Sequence, residues 1–251
     1  MSLLPPPRSA GRGGSEEVFT RLVQGISTGQ LRGGDRLPPE DQLAAQLDVA
    51  PMTLRQALAQ LRELGYVETR RGRHGGTYVQ EDIADRLESS SRNSPVPIAA
   101  LRELTDWRRA VSGEAAYLAA LRATPEELER LLRFSDDYHH VYLRPADRRL
   151  ADARFHVYVA ELARNDRLVE AERDIQDTLS RILRIIPDEG GDRTYPSASH
   201  KGLVEAIMSG DAETARRELH EHIENTYRWG VQQPNVVGLE TDVPPSPAAD
   251  A

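Results

Sequence analysis

The sequence predicts an α-rich fold in two parts: an N-terminal unit of short helices closed by a β-hairpin, and a C-terminal all-α antiparallel bundle of about six helices. Two observations carry this prediction. Between residues 15 and 80, short helical patterns precede two β-rich runs around a glycine-rich tip. From residue 98 to about 230, every periodic segment has the spacing of a helix with one apolar face.

Composition changes at the boundaries of these two parts. Residues 1–14 are rich in Pro and Gly and are expected to form a disordered arm, residues 81–97 a linker, and residues 231–251 a flexible tail. The predicted domains are therefore residues 15–80 and 98–230.

The charge is also divided unevenly. The net charge is −8, but residues 1–80 carry ten arginines against eight acidic residues, so the acidic excess lies in the rest of the chain. The first third is thus compatible with a polyanionic partner. The absence of cysteine excludes disulfides, thiolate zinc sites and a cysteine nucleophile. Without a long apolar run or a leader-like start, we expect a cytoplasmic protein that does not enter a membrane.

Residues 37–62 predict two short helices joined by a tight turn. The first helix opens after Pro38 and Pro39 and runs through Leu47, and the second begins at Pro51, a residue suited to the first helical position. Such a pair is a helix-turn-helix, whose second helix enters the major groove at its N-terminal end. The exposed side chains predicted at that end are Met52, Thr53, Arg55 and Gln56.

After Gly65 the pattern changes to strand. Runs at residues 66–71 and 77–79 flank a basic, glycine-rich tip at residues 72–76, which predicts a hairpin wing. Arg70, Arg71 and Arg73 would meet the DNA backbone or minor groove. The unit is therefore predicted to be a winged helix-turn-helix that binds DNA, the alternative being a plain packing unit with solvated arginines.

The C-terminal half carries clear helix boundaries. Thr124-Pro125-Glu126-Glu127 combines an N-cap, a proline at the first helical position and a capping-box Glu. Gly210 followed by Asp211 separates the last two helices. The predicted bundle begins with a long helix whose apolar face runs from Ile98 to Leu118. Further helices are predicted at about residues 125–142, 146–164, 167–186, 197–209 and 211–228.

Four residues of the bundle form a candidate metal site. Asp152 and His156 lie four residues apart and share one helical face. His200 and His222 lie at similar distances before and after Gly210, so an antiparallel hairpin brings them level. Three imidazoles and a carboxylate suit Zn²⁺ or a similar divalent ion. The alternatives are a surface Asp–His pair and a first-turn histidine without function. His220, two residues from His222, is expected at the surface.

The N-terminal segments at residues 29–44, 49–58 and 65–79 resemble, in order and spacing, the DNA-binding domain of the GntR family of regulators. This resemblance implies DNA contacts by Thr53, Arg55 and the glycine-rich wing, including His74 and Gly75. At Ala50, Pro51 and Met52 the chain departs from the usual opening of the recognition helix, and Asp48 replaces a common turn glycine.

Residues 98–228 look like the helical effector domain of the FadR branch of the same family. Its metal-binding members carry an Asp-x₃-His pair, a His opening the penultimate helix and a His in the last one, which Asp152, His156, His200 and His222 match. The resemblance also implies that Arg108 meets a carboxylate effector. Ser112 stands where a Glu is usual.

The resulting hypothesis is a homodimeric regulator, in our interpretation a repressor, that binds a short palindromic operator and responds to a small carboxylate at the metal site. Zn²⁺ is the first candidate ion, with Ni²⁺ or Mn²⁺ as alternatives. A competing hypothesis is a metal-dependent hydrolase with an accessory DNA-binding domain. That reaction needs a general base beside the metal-bound water, and no acidic residue has a spacing that nominates one. A DNA-binding protein without a sensor is the third possibility.

Overall fold

A computed structural model of the chain describes residues 14–72, 75–91, 95–139, 145–183, 200–233 and 236–238. The N-terminal unit contains helices α1 (Ser15–Ser27), α2 (Glu40–Leu47) and α3 (Pro51–Glu63), followed by strands β1 (Val67–Arg70) and β2 (Gly76–Val79). Its core is aliphatic, with Leu22, Leu43, Leu54, Leu58 and Val79 almost wholly buried. The predicted winged helix-turn-helix is confirmed.

The turn between α2 and α3 depends on one residue in the left-handed region. Asp48 ends α2 with φ 55° and ψ 47°, the conformation that glycine adopts most readily. Asp is among the few other residues that tolerate it, because its short polar side chain can bond locally. Pro51 then opens α3, as predicted.

The wing is a regular antiparallel hairpin. Val67 pairs with Val79 and Arg70 with Gly76, so the pairing continues up to the tip. Gly72 at the tip has φ 101°, a region that L residues rarely adopt.

The predicted linker at 81–97 is not irregular throughout. It contains helix α4 (Ile83–Ser91), and strand β3 (Val96–Pro97) comes just before the bundle. Ile83, Ala84 and Leu87 are buried, and α4 packs against the bundle. The polar composition of 88–97 pointed to a linker, but the three apolar residues before it provide a buried helical face.

The bundle contains α5 (Ile98–Arg122), α6 (Pro125–His139), α7 (Pro145–Leu162), α8 (Asp166–Leu183), α9 (Lys201–Ser209) and α10 (Ala212–Gly230). The long α5 packs against α7, α8, α9 and α10. The capping box at Thr124 forms reciprocally: Glu127 N donates to Thr124 Oγ1 at 3.4 Å, and Thr124 N donates to Glu127 Oε2 at 2.9 Å.

The chain folds back between α9 and α10. Gly210 ends α9 at φ 73°, and the side chain of Asp211 caps α10 by accepting a hydrogen bond from Thr214 N at 3.1 Å. The predicted hairpin is therefore present. Further along, strand β4 (Val236–Val237) pairs in parallel with β3, so part of the predicted tail joins the structure. The described helices include none with the length and apolar character to cross a membrane.

Candidate metal centre and DNA-binding surface

The N-terminal end of α3 presents the side chains predicted to read DNA. Met52, Arg55 and Gln56 are exposed and Thr53 is half-buried, whereas Leu54 between them is buried in the core. The guanidinium of Arg55 is held by Glu40 at the start of α2, with Nε donating to Oε2 at 2.8 Å. Both side chains are exposed, so this pair restrains Arg55 only weakly.

The wing tip is held from the side by an arginine that the sequence analysis missed. Arg36 Nη2 donates to the carbonyl of Gly75 at 2.6 Å, and Arg36 bridges to Tyr78 of β2. Arg71 lies exposed just beyond β1. Arg73 and His74 lie outside the described residues. The sequence signal for Arg36 was weak, since a single arginine before a proline-rich turn has no characteristic spacing.

The four candidate metal ligands come together in the bundle. Asp152 and His156 project from successive turns of α7, His200 immediately precedes α9, and His222 lies on α10. One donor atom from each residue lies within 4.8 Å of the donors of the other three, and all four residues are buried. Residues from three helical segments, separated by up to 70 positions, thus face one point.

The donor atoms are arranged for coordination rather than for ordinary hydrogen bonding. His156 Nε2 lies 3.1 Å from His222 Nε2, and His200 Nε2 lies 3.1 Å from Asp152 Oδ1. Between two facing imidazole nitrogens only one proton fits. Among the described residues, Nδ1 of His156 and of His222 has no hydrogen-bond partner. Three imidazole nitrogens and a carboxylate oxygen converging in a buried space form a donor set that suits a divalent cation.

The electrostatics give these groups the protonation states that a metal requires. Burial lowers the pKa of His156 to about 3, against the opposing effect of Asp152. Burial, followed by the neighbouring His200 and His156, lowers the pKa of His222 well below its usual value. Burial alone would raise the pKa of Asp152, but Arg149 and then His156 outweigh it and hold this pKa well below the usual range. At neutral pH His156 and His222 are therefore neutral and Asp152 is ionised, as metal ligation requires of them.

Arg108 lies beside this centre. It is buried, and its Nη2 donates to His156 Nε2 at 3.1 Å. One turn along α5, Ser112 donates to Glu172 Oε2 of α8 at 2.5 Å. A carboxylate is thus present near the position where Ser112 replaces the usual Glu, but another helix supplies it.

Glu172 was missed by sequence reasoning. It is buried, and burial raises its pKa despite the hydrogen bonds from Ser112 and from Gln176, whose Nε2 donates to Oε1 at 2.6 Å. The available signal was two polar residues, four positions apart, on the buried face of α8.

His220 is not at the surface, so that expectation was wrong. It is half-buried, its Nε2 lies 3.1 Å from the carbonyl of Arg109, and its ring fills the space above Gly113. α10 lies directly across α5, which brings this side of α10 against a neighbouring helix. His220 nevertheless remains outside the metal-ligand cluster.

A winged DNA-binding unit joined to a helical bundle with a buried polar centre defines a ligand-responsive transcriptional regulator. The chain belongs to the GntR family: the family model for bacterial regulatory proteins of the gntR family matches residues 14–79, and the model for the FCD domain matches residues 103–225. It is a transcriptional regulator with an FCD effector-binding domain, and not the hydrolase considered as an alternative, because the matched domains and relatives are regulators.

Curated relatives match over nearly the whole chain. RmpR of Mycobacterium gastri, named as an HTH-type transcriptional regulator, is 33% identical over 239 residues, covering 93% of this chain and 86% of RmpR. A protein of Escherichia coli K12 named for regulation of the L-lactate dehydrogenase operon is 30% identical, covering 83% of each chain. The Uxu operon transcriptional regulator of the same organism is 29% identical, covering 90% of each chain.

A solved structure has the same fold. E. coli McbR/YncC aligns with a TM-score of 0.54 at 18% sequence identity, covering 87% of this chain and 97% of that chain.

Proposed function

We propose that this regulator binds a divalent metal ion through Asp152, His156, His200 and His222, and that a small carboxylate effector binds at that ion to control operator binding. The observation that carries the proposal is the convergence of four buried donor atoms within 4.8 Å, with a buried guanidinium beside them. Isolated buried charge is costly, so a constellation of this kind is favoured when it holds a ligand.

Zn²⁺ is the first candidate ion, and Ni²⁺ or Mn²⁺ would also suit imidazole and carboxylate ligands. A bound ion would supply positive charge and coordination positions beyond the four protein ligands. Arg108 would provide a second contact for an anionic group, because its planar guanidinium matches a carboxylate in two-point geometry.

The carboxylate class of effector has two supports. The first is the local chemistry, a guanidinium next to a cation-binding donor set. The second is a relative named for the L-lactate dehydrogenase operon, since lactate is a small carboxylate.

At the DNA, we propose a repressor that acts in the cytoplasm as a two-fold dimer on a short palindrome. One recognition helix contacts too few base pairs to select a site in a genome, whereas two helices in a dimer read two half-sites. Transcription from a template carrying the operator, with and without protein, tests the sign of regulation.

The metal proposal is tested by comparing the purified protein with His156→Ala, prepared without a chelator or a histidine tag. We expect one divalent ion per wild-type chain by elemental analysis and, once that ion has been removed with a chelator and the chelator dialysed away, a higher melting temperature on addition of Zn²⁺. His156→Ala should lose both the ion and the shift in melting temperature while retaining DNA binding.

His220→Ala is the matched control, because it removes a nearby imidazole from α10 but no proposed ligand. It should retain Zn²⁺. If the wild-type protein contains no metal and Zn²⁺ leaves its melting curve unchanged, the four residues line a polar pocket only.

A further inference from the structure

The DNA-binding unit contacts the bundle through buried polar groups at the end of α1. Gln24 Nε2 donates to Asp174 Oδ1 of α8 at 2.7 Å, and Ser27 Oγ donates to Asp177 Oδ1 at 2.5 Å. The carbonyl of Ser27 accepts a third hydrogen bond, from Ser180 Oγ at 3.0 Å. Since α1 also packs on the recognition helix α3, the position of α1 on α8 influences where α3 lies relative to the bundle.

Ser180 is also connected to the candidate metal centre, through Arg149. This buried arginine of α7 donates from Nε to Ser180 Oγ at 3.3 Å, from Nη1 to Asp152 Oδ2, and from Nη2 to Gln176 Oε1. A guanidinium is planar and presents its donors in fixed directions. If the Asp152 carboxylate shifts, Arg149 therefore has to turn as a whole or break one of these bonds.

Burial makes those bonds costly to lose. Ser180 and Gln176 have no exposed surface, and Arg149 is 6% exposed, so water cannot readily replace a broken partner. A continuous polar connection thus runs from Asp152 through Arg149 and Ser180 to the backbone of Ser27.

We propose that Arg149 and Ser180 are positioning residues that couple occupancy of the Asp152 centre to the seating of α1, and hence to the geometry of the DNA-binding unit. The proposal rests on the proposed function, in which a metal ion binds at Asp152. It adds the contacts through which a change at the Asp152 carboxylate is transmitted to the DNA-binding unit. It requires that the Asp152 centre and the end of α1 both respond to the Arg149–Ser180 contact.

The test measures backbone hydrogen exchange in the full-length protein. It compares metal-free protein with the same protein after Zn²⁺, and no other ligand, has been added. In the wild type, Zn²⁺ should change exchange at the end of α1, where the amides of Thr28 and Gly29 bond to Gln24 and Ile26. Ser180→Ala should bind Zn²⁺ with the wild-type dissociation constant but lose that change. Ser180→Thr, which keeps the hydroxyl, should restore it.

Ser27→Ala is the matched control at the same contact. It removes the hydrogen bond to Asp177 but leaves the Ser27 carbonyl that Ser180 contacts, so the Zn²⁺ response should persist. If Ser180→Ala does not fold, Arg149→Lys is measured in the same way, since it retains the charge near Asp152 without the fixed three-way donor geometry.

DNA affinity provides the second readout, using a duplex selected from random-sequence DNA by the full-length protein. Zn²⁺ should change the wild-type dissociation constant by about five-fold or more, the usual lower range of coupling between sites. In Ser180→Ala the ratio of the DNA dissociation constants measured with and without Zn²⁺ should approach one.

The outcomes separate the two proposals. A wild-type chain that binds no Zn²⁺ contradicts the metal centre itself and with it the coupling. Zn²⁺ binding with an unchanged response in Ser180→Ala contradicts the coupling alone. Loss of the response in Ser27→Ala as well contradicts the specific role of Arg149 and Ser180, because any loosening of the contact would then have the same effect.

Discussion

Almost every positive charge in this chain is an arginine, since Lys201 is its single lysine. The position of each arginine determines what its guanidinium can do. Arg55 is exposed at the N-terminal part of α3 and bonded to one exposed carboxylate, so it is available to a partner. Arg108 and Arg149 are buried and contact the Asp/His cluster, where a fixed planar donor set can orient other groups.

Arg55→Ala is expected to remove specific operator binding while leaving the fold intact. A bidentate contact between arginine and guanine contributes about 1–3 kcal/mol of discrimination. Gel-shift titration against specific and unrelated duplexes measures the effect. Arg62→Ala is the control, because it removes an exposed arginine two turns further along the same helix. Equal losses in the two variants would contradict base reading by Arg55.

The buried imidazoles predict how stability depends on pH in protein treated with a chelator. The pKa of His156 is about 3 and that of His222 also lies below its usual value, whereas the unfolded chain titrates near 6.5. As the pH falls from about 6.5 toward 3, the unfolded chain therefore takes up protons that the folded chain does not. The contribution of these imidazoles to stability should be constant above this range and fall within it, by about 1.4 kcal/mol per pH unit for each imidazole.

Urea unfolding between about pH 7 and pH 5 measures this dependence. Asp152 does not contribute to the pH dependence in this range. Because its pKa is lowered in the folded protein, the stability that its ionised form provides is lost only below the usual pKa range of carboxylates. His156→Asn should reduce the slope of the free energy of unfolding against pH by the contribution of one proton, about 1.4 kcal/mol per pH unit. A wild-type stability that does not change with pH in this range would show that these imidazoles are accessible to protons in the folded state.

At the scale of the elements, the close packing of α5 and α10 holds the centre together. His222 lies on α10 and Arg108 on α5, so the separation of these helices sets the distance between a ligand and the guanidinium. Gly113 permits the close approach, because a Cβ at this position would overlap the ring of His220. His220 in turn lies within hydrogen-bond distance of the carbonyl of Arg109.

Gly113→Ala is accordingly expected to destabilise the protein by about 1–3 kcal/mol, the usual cost of overfilling a packed site. The double variant Gly113→Ala/His220→Ala should recover part of that loss, since the second substitution removes the obstructing ring. Chemical denaturation of the four proteins in the cycle measures the coupling. Strictly additive losses would show that Gly113 and His220 do not oppose each other.

At the scale of the whole molecule, the proposed two-fold dimer predicts that DNA recognition depends on two copies of the chain. A selected operator should contain two symmetric half-sites, and sedimentation should give a dimer at concentrations where DNA is bound. Inserting about five base pairs between the half-sites should abolish binding, because half a helical turn rotates one site to the opposite face of the duplex. Tight binding by a monomer, or binding insensitive to the insertion, would contradict the dimer proposal.

Local sequence patterns were sufficient for much of the fold. Pro51, Thr124 and Gly210 with Asp211 each mark a helix boundary by a chemical preference that acts within a few residues, and each boundary is present. Helix α4 was missed, because its three buried apolar residues are too few to show a period. The surface position expected for His220 was wrong, because burial of that side of α10 depends on a helix a hundred residues earlier.

The sequence by itself determined the class of protein, the winged helix-turn-helix with its exposed Arg55, and the four residues of the candidate metal site. Helical geometry locally fixes the spacing of Asp152 and His156 on one helix and of His200 and His222 across one hairpin. That these two pairs belong to one site, and the class of protein itself, were implied by the resemblance to the GntR family. Only the tertiary structure decided that Glu172 stands beside Ser112 and that Arg149 connects Asp152 with Ser180 and the end of α1. Those contacts join different helices, and their formation depends on how the helices pack, which no local pattern specifies.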